Sequence, residues 1–363
     1  MSEALEARVR ELVAGVIDPH TGTDLVAGGA LRGVGVSGRD VSVDLQLGYP
    51  ALSAQAAMAD LVKRALEADP AIDHAAVGIA CRVFAHEVQQ GLTPLPGVRN
   101  VIAVASGKGG VGKSTVAANL ALALQAEGAR VGVLDADIHG PSQVRMLGLS
   151  GKPDTPDGKH IEPKLGHGLQ AMSIGLMVDE DTAMIWRGPM ATQALTQMLT
   201  DTAWDDLDYL VIDLPPGTGD IQLTLCQRIP VSGAVIVTTP QDIALLDARR
   251  ALRMFEKVNV PVLGIIENMA THVCSQCGHE EHIFGEGGGA RMAGQHGVPL
   301  LGSLPLDIRI REQADGGTPT VAAMPDSDLA ARYREIARHA AGRLSLRARN
   351  RAIAMPRIVV RDS

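Results

Sequence analysis

Val101-Ile-Ala-Val-Ala105, Gly107-Lys-Gly-Gly-Val-Gly-Lys-Ser-Thr115 and Val116-Ala-Ala-Asn-Leu-Ala-Leu-Ala-Leu124 follow one another in the chain. A β-branched apolar run leads into a glycine-rich loop, and the loop leads into a stretch of strong helix formers. The spacing Gly107-x-x-x-x-Gly112-Lys113-Ser114 is that of a phosphate-binding loop, and the strand before it and helix after it supply the context the motif needs. Glycines at 107, 109, 110 and 112 let successive backbone N–H groups turn inward around phosphate oxygens, with Val111 between them. The start of the helix at Thr115 adds fixed partial positive charge. Lys113 reaches the β- and γ-phosphates, and the Ser114 hydroxyl ligates Mg²⁺.

A second lysine makes the loop more specific. Lys113 already serves the nucleotide of its own chain, so Lys108 is either redundant or aimed elsewhere. The loop resembles the deviant Walker A of a P-loop class that holds iron–sulfur carriers, nitrogenase iron proteins, and division and partition ATPases. That resemblance implies ATP as the nucleotide, and a homodimer in which Lys108 crosses a twofold interface to the partner's phosphates.

Acids follow two later apolar runs. Asp135-Ala-Asp137-Ile-His-Gly-Pro-Ser142 closes the run 130–134, and residues two apart on a strand end share a side. Hydrolysis needs an oriented water and a held metal; Asp137 is the candidate for the water, and Asp135 for the Mg²⁺ shell. Val211-Ile-Asp213-Leu-Pro-Pro-Gly217-Thr-Gly219-Asp220 puts Asp213 at the Walker B position for Mg²⁺, with Gly217 and Gly219 able to let a switch loop rearrange. In Val262-Leu-Gly-Ile-Ile-Glu267-Asn268-Met269 an amide ends a strand; Asn268 offers donor and acceptor together, matching an adenine edge, and a turn cap is the other reading.

Cys274-Ser-Gln-Cys277-Gly-His279 carries the cargo chemistry. One Cys-x-x-Cys gives two thiolates, whereas a tetrahedral metal or four-iron cluster takes four. Cys81 and Cys226 lie far away in apolar runs, where a buried thiol is the expectation. A twofold dimer would supply the missing pair, and Lys108 calls for the same symmetry. A [4Fe–4S] cluster bridging two chains through Cys274 and Cys277 follows; bridging zinc, a redox or inert pair, or a one-chain zinc site completed by His279 and His282 are the alternatives.

With these motifs in order, the chain closely resembles the Mrp/ApbC family of iron–sulfur cluster carrier ATPases over roughly residues 5–340. The match rests on Gly107–Thr115, Asp135–Ser142, Asp213–Asp220, and Cys274–Cys277 with His282-Ile-Phe-Gly-Glu-Gly-Gly-Gly289. Ahead of it, Val16-Ile-Asp-Pro19 and Leu47-Gly-Tyr-Pro50 look like the small iron–sulfur assembly domain often fused there. The resemblance implies cluster transfer to apo iron–sulfur proteins, contact with cluster assembly proteins, and ATP hydrolysis. The family often has Pro between the cysteines where this chain has Ser275-Gln276. The reactive cysteine of some assembly domains is missing near Tyr49-Pro50, so that domain is expected to dock partners and to hold no metal.

The periodicities agree with an α/β protein: a P-loop NTPase with a mostly parallel sheet flanked by helices, preceded by a small α/β domain. Residues 1–90 form the small unit, with helices over 3–13 and 53–66 and strands over 34–36, 41–47 and 75–83. Gln89-Gln-Gly-Leu-Thr-Pro-Leu-Pro-Gly97 breaks both periods and places a linker at 91–98. The ATPase domain spans 99–345; continuous hydrophobicity at 101–105, 130–134, 209–212, 234–238 and 262–266 marks strands buried on both faces. An amphipathic helix covers 329–344, and 346–363 is a basic tail expected to be flexible.

Composition narrows the partners. The formal net charge is −8, and there are only three Phe, three Tyr and two Trp, so neither nucleic acid nor an anionic membrane is the expected partner. No run reaches the roughly 18 apolar residues of a membrane span. Met-Ser-Glu-Ala-Leu-Glu has acid where a signal peptide has positive charge, and four cysteines are too few for a disulfide scaffold, so a reducing cytoplasm is expected. A membrane- or DNA-associated positioning ATPase shares the lysine pair, and the six arginines from Arg343 to Arg361 are the feature that keeps it as the alternative.

Overall fold

The computed structural model describes residues 2–138, 140–177, 188–274 and 276–349. The small domain has helix α1 (Ser2–Ala14), strands β1 (Leu31–Ser37) and β2 (Asp40–Leu47), helix α2 (Gln55–Glu67) and strand β3 (His74–Cys81). β1 pairs antiparallel with β2, and β2 pairs parallel with β3. Alternate residues of β2 are buried, so one face of this sheet carries the core beneath α1 and α2.

The main sheet follows with β4 (Val98–Ser106), helix α3 (Lys113–Ala126), β5 (Val131–Asp135), the short α4 (Gln143–Met146), β6 (Lys164–Gly166) and β7 (Leu169–Ser173). Then come α5 (Gly188–Asp201), β8 (Leu207–Asp213), α6 (Asp220–Arg228), β9 (Gly233–Thr238), α7 (Asp242–Lys257) and β10 (Val262–Glu267). A hairpin of β11 (His272–Val273) and β12 (Glu280–Glu281) precedes α8 (Gly288–His296), β13 (Leu300–Ser303), α9 (Ile308–Asp315), α10 (Thr320–Ala323) and α11 (Asp328–Ser345). The eight-stranded order is β13-β10-β9-β4-β8-β5-β7-β6. All neighbours in it are parallel except β6 with β7.

β4 lies inside the sheet between β8 and β9, and successive residues face opposite layers. Ile102 and Val104 join one core with α3 and α11, whereas Val101, Ala103 and Ala105 join the other with α5 and α7. The strands were legible because both faces are apolar; β6, β7 and β13 escaped notice because they are only three to five residues long. α3 is buried on every side from Val116 to Leu124, which explains its lack of a polar stripe. It packs against the sheet and α11, and its apolar layer runs on without a break into the core of the small domain.

Polar contacts lock that junction. Glu127, at the end of α3, is buried and accepts from the Ser53 N–H (2.9 Å) and from Arg338 Nη1 (2.6 Å). Arg338 Nε also meets His20 Nε2 at 3.0 Å; His20 Nδ1 lies 3.1 Å from the Tyr49 hydroxyl, which donates to Asp18 at 2.8 Å. Asp18 and Tyr49, read in the sequence as family markers, therefore act as hydrogen-bonded joinery. The linker ends one residue earlier than expected, because Val98 already belongs to β4. The tail expected to be flexible begins by pairing with the segment after β3: the Glu87 N–H donates to the Ala348 carbonyl, and His86 and Arg349 form an antiparallel bridge. Residues 350–363, with Arg351, Arg357 and Arg361, lie outside the described residues, as does Ser275. Among the described residues no helix is long and apolar enough to cross a membrane.

Candidate functional site

The carboxyl ends of β4, β5, β8 and β10 converge, which is where an open parallel sheet binds ligands. Between Ser106 and Lys113 the loop turns with Gly110 and Gly112 both at φ +81°, a conformation that favours glycine. A Cβ at Gly107 would overlap the backbone of Asp247 in α7, and one at Gly112 would overlap the Asn268 amide. The cradle is thus shaped by close approach as well as by dihedral. It opens onto a cleft of about 290 Å³ lined by Lys108, Gly109, Lys113, Ser114, Asp137 and Ser142 among others. Thr115 takes part in the same lining, and Val111 is buried beneath the loop.

Lys113 is buried and ion-paired to Asp213, with Asp137 Oδ2 at 3.8 Å and Ser114 Oγ at 3.3 Å. Asp135 and Asp213 are register partners on β5 and β8, so their carboxylates stand side by side. Asp135 accepts from the Gln143 N–H (3.0 Å), the Ser173 hydroxyl (3.1 Å) and the Asp137 N–H (3.2 Å). Burial, reinforced by the neighbouring Asp213 charge, pushes the Asp135 carboxyl up to about 7. Lys108 differs from Lys113: among the described residues no carboxylate lies within ion-pair distance of its ammonium.

Gln143 was not singled out from the sequence, and it joins the site together. Its Nε2 donates to Asp213 Oδ2 (2.9 Å) and to the Ser114 carbonyl (3.0 Å), bridging the Walker B strand and the phosphate loop. No local signal marks it, since a Gln opening a four-residue helix reads as surface. Its Oε1 and the nearby Ser142 hydroxyl are buried and, among the described residues, have no hydrogen-bond partner. Buried polar atoms of this kind are normally satisfied, and here they stand beside a cationic cradle and two carboxylates. This donor set fits a nucleotide phosphate with a hydrated divalent metal.

Asn268 ends β10 and its Nδ2 donates to the Val111 carbonyl at 2.8 Å, so the amide grips the phosphate loop. The preceding Glu267 is buried, and its Oε1 accepts from the Gly289 N–H at 2.6 Å. A Cβ on Gly289 would crowd that carboxylate, which gives the glycine run that opens α8 a physical reason.

Cys274 and Cys277 sit at the tip of the β11–β12 hairpin, Cys274 half-buried and Cys277 exposed. The Cys274 N–H donates to the His279 carbonyl and the Gly278 N–H to the Cys274 carbonyl, both at 2.9 Å, with Gly278 at φ +72° completing the turn. The N–H groups of Gln276 and Cys277 aimed at its sulfur, with the Cys277 thiol beside it, hold Cys274 below the ordinary thiol range, toward the thiolate that ligates metal. Among the described residues no group of three or more His, Cys, Asp and Glu stands ready to hold a metal. His282 turns its Nδ1 to the Ala270 carbonyl at 3.0 Å, and among the described residues His279 and His282 do not group with the two cysteines as a one-chain zinc site needs. Two thiols thus face outward with half a tetrahedral set. Of the remaining cysteines, Cys226 is buried as expected, but Cys81 is not: it is half-exposed on the wall of a cleft.

The comparisons agree with this geometry. Residues 97–341 match the family model described as NUBPL iron-transfer P-loop NTPase, and residues 6–79 match that of an iron–sulfur cluster assembly protein. An iron–sulfur cluster carrier protein of Haemophilus influenzae is 50% identical over 331 residues, covering 91% of this chain and 90% of that one. A nucleotide-binding protein of Archaeoglobus fulgidus, solved in complex with ADP, is 37% identical with a TM-score of 0.55, covering 64% of this chain and 91% of that one. The cell division ATPase MinD of Pyrococcus furiosus, at 24% identity and a TM-score of 0.50 over 66% of this chain and 97% of that one, shows a shared fold alone. The chain belongs to the NUBPL iron-transfer family of P-loop NTPases, with an iron–sulfur cluster assembly domain fused at its amino end.

Proposed function

We propose that the protein is an ATP-hydrolysing carrier that binds iron–sulfur clusters and transfers them to apo iron–sulfur proteins. The observation that carries this reading is one of connectivity. Asn268 grips Val111 of the phosphate loop, and the same segment runs on through β11 to the outward-facing thiols of Cys274 and Cys277. A change in the loop on hydrolysis therefore has a short route to the cargo ligands, one hydrogen bond and then a few residues of chain.

In this reading ATP binds with Mg²⁺, held by Ser114 and Asp213 with Asp135 behind them, while Asp137 orients the attacking water. Asn268 Oδ1 accepts from the adenine amino group while Nδ2 keeps its grip on the loop. Lys108 extends to the nucleotide of a second copy, and the same twofold axis brings two Cys274–Cys277 pairs together around a [4Fe–4S] cluster. Thiolates at a subunit seam are open to a recipient's thiols, which suits release better than permanent retention. The cytoplasm, where thiols stay reduced, is the compartment this chemistry needs.

Anaerobic reconstitution with iron and sulfide tests the cargo assignment. Wild type is expected to take up four irons and four sulfides per dimer with a broad charge-transfer band near ~400 nm, as Cys₄ ligation of this cluster type implies. Cys274→Ala and Cys277→Ala are each expected to lose the band. Equal iron and sulfide in wild type and variants, or stoichiometric zinc with no band, would remove the assignment.

A further inference from the structure

A second cavity lies away from the nucleotide. A cleft of about 1110 Å³ opens where the small domain, the segment after β3 and the amino ends of the main-sheet strands meet, lined by residues that include Cys81, Arg82, Phe84, Arg99, Arg130 and Arg349. Arg99 is near the start of β4, Arg130 precedes β5, and Asp208 opens β8. The phosphate loop and the cysteine hairpin follow the opposite, carboxyl ends of β4 and β10. A six-residue strand such as β10 puts the two ends about 20 Å apart. An occupant of this cleft leaves the nucleotide and thiol face clear.

The charges on its wall divide into two groups. Arg99 pairs with Asp206 and Asp208, Arg130 pairs with the same two acids, and buried Glu127 is held by Arg338. These are internally neutralised. Arg82 and Arg349 are not: both are exposed, and among the described residues neither has a carboxylate within ion-pair distance. Both guanidinium groups lie over the Phe84 ring, Arg349 at 3.8 Å and Arg82 at 5.2 Å from its centroid. Stacking fixes the plane of a guanidinium and leaves its N–H edge free for a carboxylate. Partial burial first, and then the charges of Arg32 and Arg82, pull the Arg349 pKa down, so exposed Arg32 adds to the field. Glu87 is the one acid on the wall without a cationic partner among the described residues. The excess is cationic on a protein whose net charge is −8.

We propose that this cleft binds a carboxylate-rich peptide segment of a partner protein, held by Arg82 and Arg349. Its volume exceeds the roughly 300–1,000 Å³ typical of small-ligand pockets, and its open form suits an extended segment. The chain's own sequence beyond Arg349 does not supply such a segment, since it adds Arg351, Arg357 and Arg361 against the single Asp362. A tether at the amino ends of the strands raises the local concentration of a partner at the far face without occupying it. The inference does not depend on the identity of the cargo.

The test uses the full chain and fluorescein-labelled decaglutamate in an anisotropy titration. Saturable binding is expected, weakened by added salt. The Arg82→Glu/Arg349→Glu double variant is expected to lose at least tenfold in affinity while ATP hydrolysis stays within twofold of wild type. Arg82→Gln/Arg349→Gln guards against charge-induced misfolding and is expected to lose affinity in the same direction with an unchanged circular dichroism spectrum. Arg311→Glu, on a different surface, is expected to bind like wild type. No saturable binding, a loss under twofold in both double variants, or an equal loss in Arg311→Glu would overturn the proposal. So would tighter, arginine-dependent binding of duplex DNA or phosphatidylserine-rich vesicles than of the peptide.

Discussion

Asp135 and Asp213 end adjacent parallel strands as register partners, and both side chains are fully buried. Lys113 and Gln143 satisfy Asp213, whereas Asp135 depends on two N–H groups and the Ser173 hydroxyl. Burial, with the neighbouring Asp213 charge next, pushes Asp135 up to about 7 from an ordinary 3.8. Between those two values the native metal-free protein binds more protons than the unfolded chain, so its stability falls as pH rises through the window. Asp135→Asn removes that slope. Urea unfolding in EDTA is expected to show the variant more stable than wild type at pH 8, with the difference narrowing steadily as the pH falls toward 3.8. Hydrolysis of Mg-ATP is expected to fall about 10- to 100-fold, the usual effect of disturbing a metal's supporting shell. Parallel pH profiles for variant and wild type would contradict the assignment.

Gln143 joins the Walker B carboxylate to the phosphate loop, so its loss should act on the turnover step more than on nucleotide affinity. A hydrogen bond to a charged group contributes about 1.5–3 kcal/mol, which corresponds to about 10- to 100-fold in rate. Gln143→Leu is expected to lower kcat in that range with ADP affinity little changed. Steady-state kinetics alongside ADP titration checks both arms; a loss of affinity with kcat intact would assign Gln143 to binding.

The nucleotide site was legible because its chemistry is local. Gly107 to Ser114, Asp135, Asp137 and Asp213 each follow a strand whose both faces are apolar, so motif and context lie together in the sequence. What stayed hidden depends on distant contacts. Gln143 matters only because the end of β5 brings it to Ser114 and Asp213. Cys81 sits in an apolar run, yet alternation on a sheet buried on one face turns it toward a cleft. Asn268 was read for a base edge or a turn cap, and its amide clasps the loop, a pairing between residues 157 positions apart.

Arg338 is the central ion of the junction between the small domain and α3. Removing one partner of a buried pair typically costs about 3–5 kcal/mol, because the other charge is left uncompensated. Arg338→Met is expected to destabilise by about that much, and the double variant Arg338→Met/Glu127→Gln by clearly less. His20 reports on the same network. Burial, with the Arg338 charge next, lowers its pKa to about 4, so the native state keeps it neutral while the unfolded chain takes up a proton near 6.5. Stability is therefore present above 6.5 and lost as pH falls toward 4. Replacing Arg338 relieves part of that shift and should make the acid limb shallower. Denaturant midpoints measured across the acid range would show it; an acid limb as steep as wild type would remove Arg338 from the cause.

Lys108 and Asp137 offer a test of whether one chain completes its partner's site. Lys108→Ala and Asp137→Ala are each expected to lose most hydrolysis while still binding ADP through Lys113 and the glycine cradle. If the chain dimerises as proposed, mixing gives heterodimers in which the Lys108→Ala chain keeps its own Asp137 and receives an intact Lys108 from its partner. The other site of the same heterodimer lacks both groups. If subunits exchange statistically, half the dimers are mixed and each has one competent site of two, so about one quarter of wild-type activity should return. A lysine acting on its own chain's nucleotide predicts no recovery, because every site would still lack one group. A malachite green assay on a titration of one variant into the other, with dimer formation followed by light scattering, separates the two.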